Sequence, residues 1–269
     1  MENESGHVRA LERGLNVLFA LESAGRPVPL GELATAIELS NATTLRMIAT
    51  LERYGLIEKS PAGFRLGLAV LPLTHGYLLG NELTLAALPI LQEVAKNTGE
   101  AVSLFVRFKF ERIVIQRVDG PNALRYLYPA GQRLPLHMGV GKVLAAALSS
   151  QDLDRLLDDV GESHFASGVH FSREKFLDEM AVIKKSGYAT SRNERVMGVA
   201  SVAAPIVNTS GITIAAISVA GPENRMTADR LEILSVDIRR AAMAIADQCS
   251  NNNRPLSTLN RQRSSDYTM

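Results

Sequence analysis

Residues 40–57 read SNATTLRMIATLERYGLI, and this stretch predicts one helix with two unlike faces. Ser40 is suited to the N-cap because its hydroxyl oxygen can accept a backbone N–H, and Gly55 is suited to the residue that follows a helix end. A helix over 41–54 has on its inner face Thr44, Ile48 and Leu51. The positions outside this face are Thr43, Arg46, Thr50 and Arg53. The helix is therefore expected to pack by one side and to present polar groups and positive charge on the other.

The segments on either side predict two further helices and a hairpin. Leucines recur at three- and four-residue spacing over 8–22, and a shorter helix fits 30–37. Two short runs flank the turn Ser60-Pro61-Ala62-Gly63 and predict a small hairpin over 56–66. Three short helices with a hairpin after the third are typical of a winged helix-turn-helix, which we expect over residues 8–67.

The outer face of the third helix favours contact with DNA. Arginines and short polar side chains near a helix start can reach base edges and phosphates in the major groove. Between residues 40 and 68 four basic residues outnumber two acidic ones, a modest excess that is adequate for phosphate contact. We predict that the DNA-contacting residues are Ser40, Asn41, Thr43, Arg46, Arg53 and Arg65. The alternative is a small helical module whose charges are solvated.

The bulk composition suits a chain of two domains without a disulfide framework. A length of 269 residues is typical of two domains, and 46% of the residues are apolar, which is enough for a sizeable core. The formal net charge of +1 does not indicate nucleic acid, and the single cysteine, Cys249, suits a reducing compartment. Residues 1–6 carry two glutamates and no apolar run, and no apolar run of about 18 residues follows. We therefore expect a cytoplasmic protein with no membrane contact.

The remainder of the chain predicts a linker and a second domain. Residues 68–92 carry leucines at helical spacing, and we expect a linker helix region there that contributes to dimer contacts. From residue 100 the predicted strands cover 101–108, 112–118, 124–128, 187–192, 199–207 and 212–220, and the predicted helices cover 140–148, 150–159, 172–186 and 227–248. This mixed order predicts an α+β sheet domain over 93–249. The polar residues 250–269 predict a disordered tail.

The start of the predicted helix over 140–148 is the candidate ligand site. Gly139 and Gly141 leave backbone N–H groups accessible at the positive end of a helix dipole, which suits a carboxylate without a basic side chain. Ser218 lies inside the apolar run 214–219 and offers a hydroxyl group. The spacing fits neither a Walker A loop nor a dinucleotide fingerprint, so we expect an organic carboxylate and no nucleotide.

Short motifs follow one another in a fixed order along the chain. In the first part they are Ala10-Leu11-Glu12-Arg13-Gly14-Leu15, Leu33-Ala34, Ser40-Asn41-Ala42-Thr43-Thr44-Leu45-Arg46, Leu51-Glu52-Arg53-Tyr54-Gly55-Leu56-Ile57 and Phe64-Arg65-Leu66-Gly67. In the second part they are Leu134-Pro135-Leu136-His137, Gly141-Lys142, Gly187-Tyr188, Val202-Ala203-Ala204-Pro205 and Ala216-Ile217-Ser218-Val219-Ala220-Gly221-Pro222. In this order, over about residues 8–249, the chain resembles the IclR family of transcription regulators. The resemblance implies a GAF-like effector-binding domain, a small organic acid as effector, and a homodimer or dimer of dimers on a palindromic double-stranded DNA operator.

The resemblance also implies which residues line the effector site. The residues of this chain at the positions that line the effector site in the family are Met138, Gly139, Val140, Ser191, Val199, Ser201, Ser218 and Ala220. The chain departs from the family at Ser191, where an acidic residue is common, and at Ala220, where a second serine often occurs. These departures make the site less acidic and more apolar, which favours a larger or aromatic acid over one of glyoxylate size. The segment from His137 to Lys142 is one residue shorter than in the family, which leaves the register of its glycine open.

Two further departures concern the DNA-reading module. Glu38 stands where the family usually has a glycine in the helix-turn-helix turn, and a left-handed conformation is uncommon for other residues. We expect either a distorted turn or a different conformation there. Pro29 stands where a serine or threonine usually caps the second helix, and the lost cap costs about 1 kcal/mol.

Together these observations predict a ligand-responsive, DNA-binding regulator of a catabolic operon that senses a small organic acid, as a repressor or an activator. The chain has no G-x-S-x-G elbow, and no two of its five histidines lie at i, i+4, so we expect no enzyme activity, no cofactor and no metal. The alternative is a small-molecule-binding protein or enzyme whose N-terminal module serves protein contacts only. A third interpretation is a dimerisation adaptor with an empty sensor domain.

Overall fold

The computed structural model describes residues 8–122 and 129–252, without the side chains of the last two. The chain divides into two compact units between Gly80 and Asn81. The region 68–92, predicted as a linker helix, contains two helices instead of one, and the second belongs to the larger unit. The second helix begins after Asn81 because the side-chain oxygen of this residue accepts the backbone N–H of Thr84 at 3.1 Å, an N-cap.

The smaller unit contains four helices and one hairpin within the described residues. Its elements are α1 (Arg9–Ala24), α2 (Leu30–Ala36), α3 (Asn41–Arg53), β1 (Ile57–Ser60), β2 (Gly63–Leu66) and α4 (Val70–Gly80). The two strands pair antiparallel, from Ile57 with Leu66 to Ser60 with Gly63. The core shared by the first three helices and the hairpin consists of Val17, Leu21, Val28, Leu33, Ile48, Ile57 and Phe64. This arrangement is the predicted winged helix-turn-helix.

Local hydrogen bonds and backbone angles set the ends of the helices in this unit. Ser40 Oγ accepts the backbone N–H of Thr43 at 3.3 Å, which confirms the predicted N-cap of α3. Glu38 has a φ of +55°, so the turn keeps its left-handed conformation although the residue is not glycine. Pro29 precedes α2 and makes no side-chain cap bond, as expected. Gly55, at φ +70°, follows the end of α3.

The larger unit is a six-stranded antiparallel sheet with helices on both faces. In chain order its elements are α5 (Glu82–Thr98), β3 (Ala101–Phe108), β4 (Glu111–Val118), β5 (Arg133–Pro135), α6 (Gly141–Ala145), α7 (Ser150–Val160), α8 (Arg173–Ser186), β6 (Ala189–Arg192), β7 (Val199–Val207), β8 (Thr213–Pro222) and α9 (Ala228–Asn252). The strand order is β5-β4-β3-β8-β7-β6. Helices and strands in this order confirm the predicted α+β fold.

Two apolar cores cover the two faces of this sheet. Helices α5 and α9 pack on one face, and α6, α7 and α8 pack on the other. Because side chains alternate along a strand, Leu104 belongs to the first core and its neighbour Phe105 to the second. The second core includes Val140 and the start of α6, and it therefore borders the candidate ligand site.

Several stretches differ from the sequence expectation. Helix α6 ends at Ala145 and is shorter than the predicted helix over 140–148. Strand β5 was not predicted because three residues are too few for a periodicity signal. The predicted strand over 124–128 lies outside the described residues, and so does the predicted tail over 250–269 beyond Asn252, where α9 ends.

No helix in residues 8–122 and 129–252 has both the length and the hydropathy of a membrane-spanning segment.

Candidate DNA-contacting surface and ligand cavity

Helix α3 separates its buried and exposed residues as the sequence pattern predicts. Thr44 and Ile48 are buried in the core of the smaller unit, whereas Asn41, Arg46 and Arg53 are exposed. The buried positions fix the helix on α1 and α2, and the exposed ones leave its outer face accessible to a partner.

The polar side chains at the start of α3 form a short series of hydrogen bonds. Ser40 Oγ donates to Thr43 Oγ1 at 3.0 Å, and Arg46 Nη2 donates to the same oxygen at 3.5 Å. In the hairpin, Arg65 Nε donates to Glu58 Oε1 at 2.6 Å, so this arginine belongs to an exposed ion pair. The arginine charge of the module is therefore more available on α3 than on the hairpin.

A small cavity lies in the larger unit between the sheet and the segment that precedes α6. Its volume is about 40 Å³. We call it the serine-lined cavity, and its lining consists of Ser103, Phe105, Arg112, Gly139, Val140, Ser191, Glu194, Arg195, Val196, Val199, Ser201, Ser218 and Ala220. All residues predicted for the effector site except Met138 lie in this lining. Met138 is buried beside the cavity, where its carbonyl oxygen accepts a hydrogen bond from Arg112.

Hydroxyl groups from four strands occupy the sheet side of this cavity. Ser103 on β3 pairs in register with Ser218 on β8, and both side chains are buried. Ser201 on β7 pairs with Ser191 on β6, and their Oγ atoms are 3.4 Å apart. A hydroxyl both donates and accepts, so this wall can bond a polar group of either kind.

Arg112 adds a positive charge to the cavity that the sequence analysis missed. The residue is only 2% exposed, and its Nη1 donates to the carbonyl oxygen of Met138 at 2.6 Å and to that of Pro135. Its guanidinium carbon lies 5.6 Å from the ring centroid of Phe105. The structure corrects the expectation of a site without a basic side chain. An arginine at the first position of a predicted strand gives no sequence signal of the cavity that it faces.

Glu194 reaches the same cavity from the turn after β6, and the sequence analysis missed it as well. Its Oε2 accepts the backbone N–H of Gly139 at 2.6 Å, and its Oε1 accepts from Lys142 Nζ at 2.5 Å. The Lys142 side chain is 3% exposed, and it also donates to Glu179 Oε1 at 2.6 Å and to the carbonyl oxygen of Thr190 at 3.0 Å. The backbone N–H that was predicted for a ligand carboxylate therefore bonds a carboxylate of the protein itself.

Gly139, which precedes α6, and Gly141, its first residue, are both required by their surroundings. Gly139 has a φ of +60°, in the left-handed region that favours glycine. A Cβ at Gly141 would meet the carbonyl group of Leu136 and the guanidinium of Arg112. The glycines thus allow the backbone to approach the buried arginine closely.

His137 precedes this segment and is 8% exposed. Burial, and then the nearby charge of Arg112, lowers the pKa of His137 to about 4. Its ring packs edge-to-face on Phe171 at 5.1 Å between centroids, and its Nε2 lies 3.5 Å from Ser163 Oγ. His137 is therefore a neutral packing residue near pH 7. In the described part of the chain, no group of three or more His, Cys, Asp or Glu residues is placed to hold a metal ion.

A winged helix-turn-helix followed along the chain by a domain with an internal cavity is typical of a class of protein, the ligand-responsive transcription regulators. The IclR helix-turn-helix domain matches residues 10–61, and the C-terminal domain of the bacterial transcriptional regulator IclR matches residues 75–247. The chain therefore belongs to the IclR family, as the sequence resemblance implies.

Two curated relatives from Escherichia coli (strain K12) extend along most of the chain. One is the HTH-type transcriptional repressor AllR, which is 28% identical over 225 residues, covering 82% of this chain and 83% of that protein. The other is the transcriptional repressor IclR, which is 28% identical over 246 residues, covering 90% of each. Both are transcriptional repressors, which agrees with a class of transcription regulators.

Solved structures share the fold over nearly their whole length. An IclR transcriptional regulator from Alicyclobacillus acidocaldarius has a TM-score of 0.78 at 22% identity and covers 90% of this chain and 99% of its own. An IclR homologue from Microbacterium hydrocarbonoxydans, complexed with 4-hydroxybenzoate, has a TM-score of 0.73 at 23% identity with the same coverage, 90% and 99%. At this identity the likeness concerns the fold, and it agrees with the GAF-like effector domain.

Proposed function

We propose that the serine-lined cavity is the effector site and that it binds a small organic acid. The observation that carries this proposal is the buried guanidinium of Arg112 on a cavity whose lining also includes four serines, several apolar side chains, and the charged residues Glu194 and Arg195. A buried cation favours an anionic ligand, and a carboxylate matches both guanidinium and hydroxyl donors. Phe105, Val140 and Val199 would contact the carbon skeleton of the acid.

The volume of the cavity bears on the size of this acid. The volume of about 40 Å³ has room for a few water molecules, because one water needs roughly 10–15 Å³, whereas a cavity of about 150 Å³ holds benzene. The space therefore suits an acid of about two or three carbons, and a ring-sized acid requires the cavity to widen. The relative with bound 4-hydroxybenzoate keeps an aromatic acid among the candidates for this chain.

Isothermal titration calorimetry with glyoxylate, pyruvate, benzoate and 4-hydroxybenzoate tests the proposal, with pyruvamide and benzamide as neutral controls. We expect at least one acid to bind and the neutral amides not to bind, because Arg112 attracts the negative charge. Val140→Asp places a second carboxylate on the cavity wall and should abolish the binding while operator affinity stays intact. Val182→Asp, at a valine on α8 that is 62% exposed, is the matched control and should bind like the wild type. If Val140→Asp binds the acid as tightly as the wild type, the site lies elsewhere.

For the smaller unit, we propose that α3 reads the operator. Exposure of the polar face of α3 and the family match over residues 10–61 support this. The proposed contacts are Ser40, Asn41, Thr43, Arg46 and Arg53 on or beside the helix, and Arg65 on the hairpin. Arg65 would contact DNA only by exchanging Glu58 for a phosphate.

We propose further that the protein acts as a dimer or a dimer of dimers. One helix-turn-helix module covers only half of a palindromic operator. Helix α4 supports this proposal because it has no buried residue and exposes Leu71, Leu73 and Leu79. Sedimentation of the protein at micromolar concentration should show a dimer or larger species, and a monomer with and without DNA would contradict the proposal.

The regulated genes are proposed to form a catabolic operon for the acid, and the protein is proposed to act by binding alone, without catalysis. The curated relatives named above are repressors, which supports repression as the direction of control. Transcription of the neighbouring genes should then rise when the gene for this protein is deleted. Turnover of an acid by the purified protein would contradict the absence of catalysis.

A further inference from the structure

We propose that Glu194 is an internal competitor for the effector. Its carboxylate bonds the backbone N–H of Gly139, beside Arg112, and an acid gains this position only when the Glu194 side chain turns away. The inference rests on the proposed effector site in the serine-lined cavity and adds the residue that sets its affinity.

The bond between Glu194 and Gly139 is of the kind that a ligand carboxylate would make. The distance from Gly139 N to Glu194 Oε2 is 2.6 Å. Arg112 lies close to this donor. A Cβ added at Gly139 would be 3.3 Å from Arg112 Nη2. An acid that contacts both Arg112 and Gly139 brings its carboxylate against that of Glu194. The Glu194 side chain is only 13% exposed, and like charges a few ångströms apart in such a setting repel, so the two carboxylates compete for the same donors.

A second cleft gives the Glu194 side chain space to rotate into. This outer cleft has a volume of about 540 Å³, and its lining includes Lys142, Glu179, Thr190, Ser191, Arg192 and Glu194. Glu194 and Ser191 line both the serine-lined cavity and the outer cleft, so they form part of the wall between them. Lys142 and Arg192 carry positive charge on the side of the outer cleft. A Glu194 carboxylate that leaves Gly139 therefore stays close to cations.

The backbone around Glu194 is held in place, which confines the motion to the side chain. The carbonyl oxygen of Glu194 accepts the N–H of Ala166 at 2.7 Å. The side-chain oxygen of the preceding Asn193 accepts the N–H of Gly198 at 2.6 Å. A change of rotamer at Glu194 is therefore the movement expected on binding.

This competition has a measurable effect on affinity. The apparent affinity for an acid is reduced by the fraction of molecules in which Glu194 has turned away. Removal of the Glu194 carboxylate should therefore tighten binding of an acid by about tenfold or more, the factor that corresponds to one hydrogen bond with a charged group.

Acetate is the probe because it reproduces the end of the Glu194 side chain. In full-length Glu194→Ala we expect acetate to raise the thermal midpoint and to shift the Gly139 amide resonance, with about tenfold or more tighter binding than in the wild type. Acetamide controls for charge, and sodium chloride at equal concentration controls for ionic strength. Glu179→Ala is the matched variant because it removes an acid from Lys142 and leaves Gly139 unchanged. It should respond to acetate like the wild type.

The proposal is overturned if folded Glu194→Ala responds to acetate no more than the wild type does. If Glu194→Ala does not fold, Glu194→Gln, which keeps the shape and removes the charge, is titrated with acetate, and affinity equal to that of the wild type overturns the proposal. The outcome also separates this inference from the proposed function. If none of the four acids binds the wild type but acetate binds Glu194→Ala, competition by Glu194 is established and none of these four acids is the effector. If one of the four acids binds the wild type but Glu194→Ala responds to acetate no more than the wild type does, the effector site stands and the role of Glu194 is wrong.

Discussion

Replacing Arg112 with methionine removes the buried charge of the serine-lined cavity and keeps a long side chain, and two effects follow. Arg112 Nη1 donates to the carbonyl oxygens of Met138, at 2.6 Å, and Pro135. Each carbonyl that loses its donor costs roughly 1 kcal/mol, so the free energy of unfolding should fall by about 2 kcal/mol. Binding of an acid should weaken about 10- to 100-fold, because a hydrogen bond to a charged group contributes roughly 1.5–3 kcal/mol.

Urea denaturation measures the first effect, and calorimetry with the acid that binds the wild type measures the second. Arg117→Met is the matched control because Arg117 lies on the same strand but donates to Asp119 at 2.8 Å and is absent from the cavity lining. This control should leave acid binding unaltered, because Arg117 does not line the cavity. A folded Arg112→Met protein with wild-type affinity for the acid would refute the role of the guanidinium.

Three further predictions concern other parts of the molecule. Arg46→Ala should weaken operator binding by about 1–3 kcal/mol in a gel-shift titration. The thermal midpoint should stay unchanged, because the Arg46 side chain is exposed. Unaltered operator affinity would exclude a contact between Arg46 and DNA. Glu38→Gly should raise the free energy of unfolding by roughly 0.5 kcal/mol, because the strain at φ +55° exceeds the entropic cost of glycine in the unfolded chain; destabilisation contradicts this. The pKa of His137, lowered from 6.5 to about 4, gives a stabilisation that is present above pH 6.5 and lost as the pH falls through 4. Between pH 7 and pH 4.5 the wild type should therefore lose about 2 kcal/mol more than His137→Gln in urea denaturation, and equal losses would show that the histidine is not buried as described.

The fold of the smaller unit could be predicted because its local signals agree with one another. The helical spacing of residues 8–22, the cap at Ser40 and the glycine at position 55 each depend on near neighbours in the sequence. The break at Asn81 was missed for a different reason. The leucine spacing continues across Asn81, so it predicts one uninterrupted helix. The only local sign of a helix start is the asparagine itself, a residue type that is common at N-cap positions.

The cavity could be predicted only in part because its charged residues come from distant parts of the chain. Gly139 and Ser218 have local signatures, a glycine before a helix and a serine within an apolar strand. Arg112 and Glu194 meet Gly139 only after the sheet has formed, from 27 residues before it and 55 residues after it. Nothing in the neighbouring sequence of either residue indicates this convergence. The order of the six strands, which causes it, depends on tertiary packing.

The central claim is that an acid bound in the larger unit controls DNA binding by the smaller unit. Fluorescence anisotropy of a labelled fragment from the promoter of this protein's own gene tests it, with and without a saturating amount of the acid found by calorimetry. We predict that the acid changes the operator dissociation constant of the wild type by about 5- to 150-fold, the range of typical coupling free energies, and leaves that of Val140→Asp unchanged. An operator affinity that is identical with and without the acid, in a wild-type protein that binds both, would contradict the account.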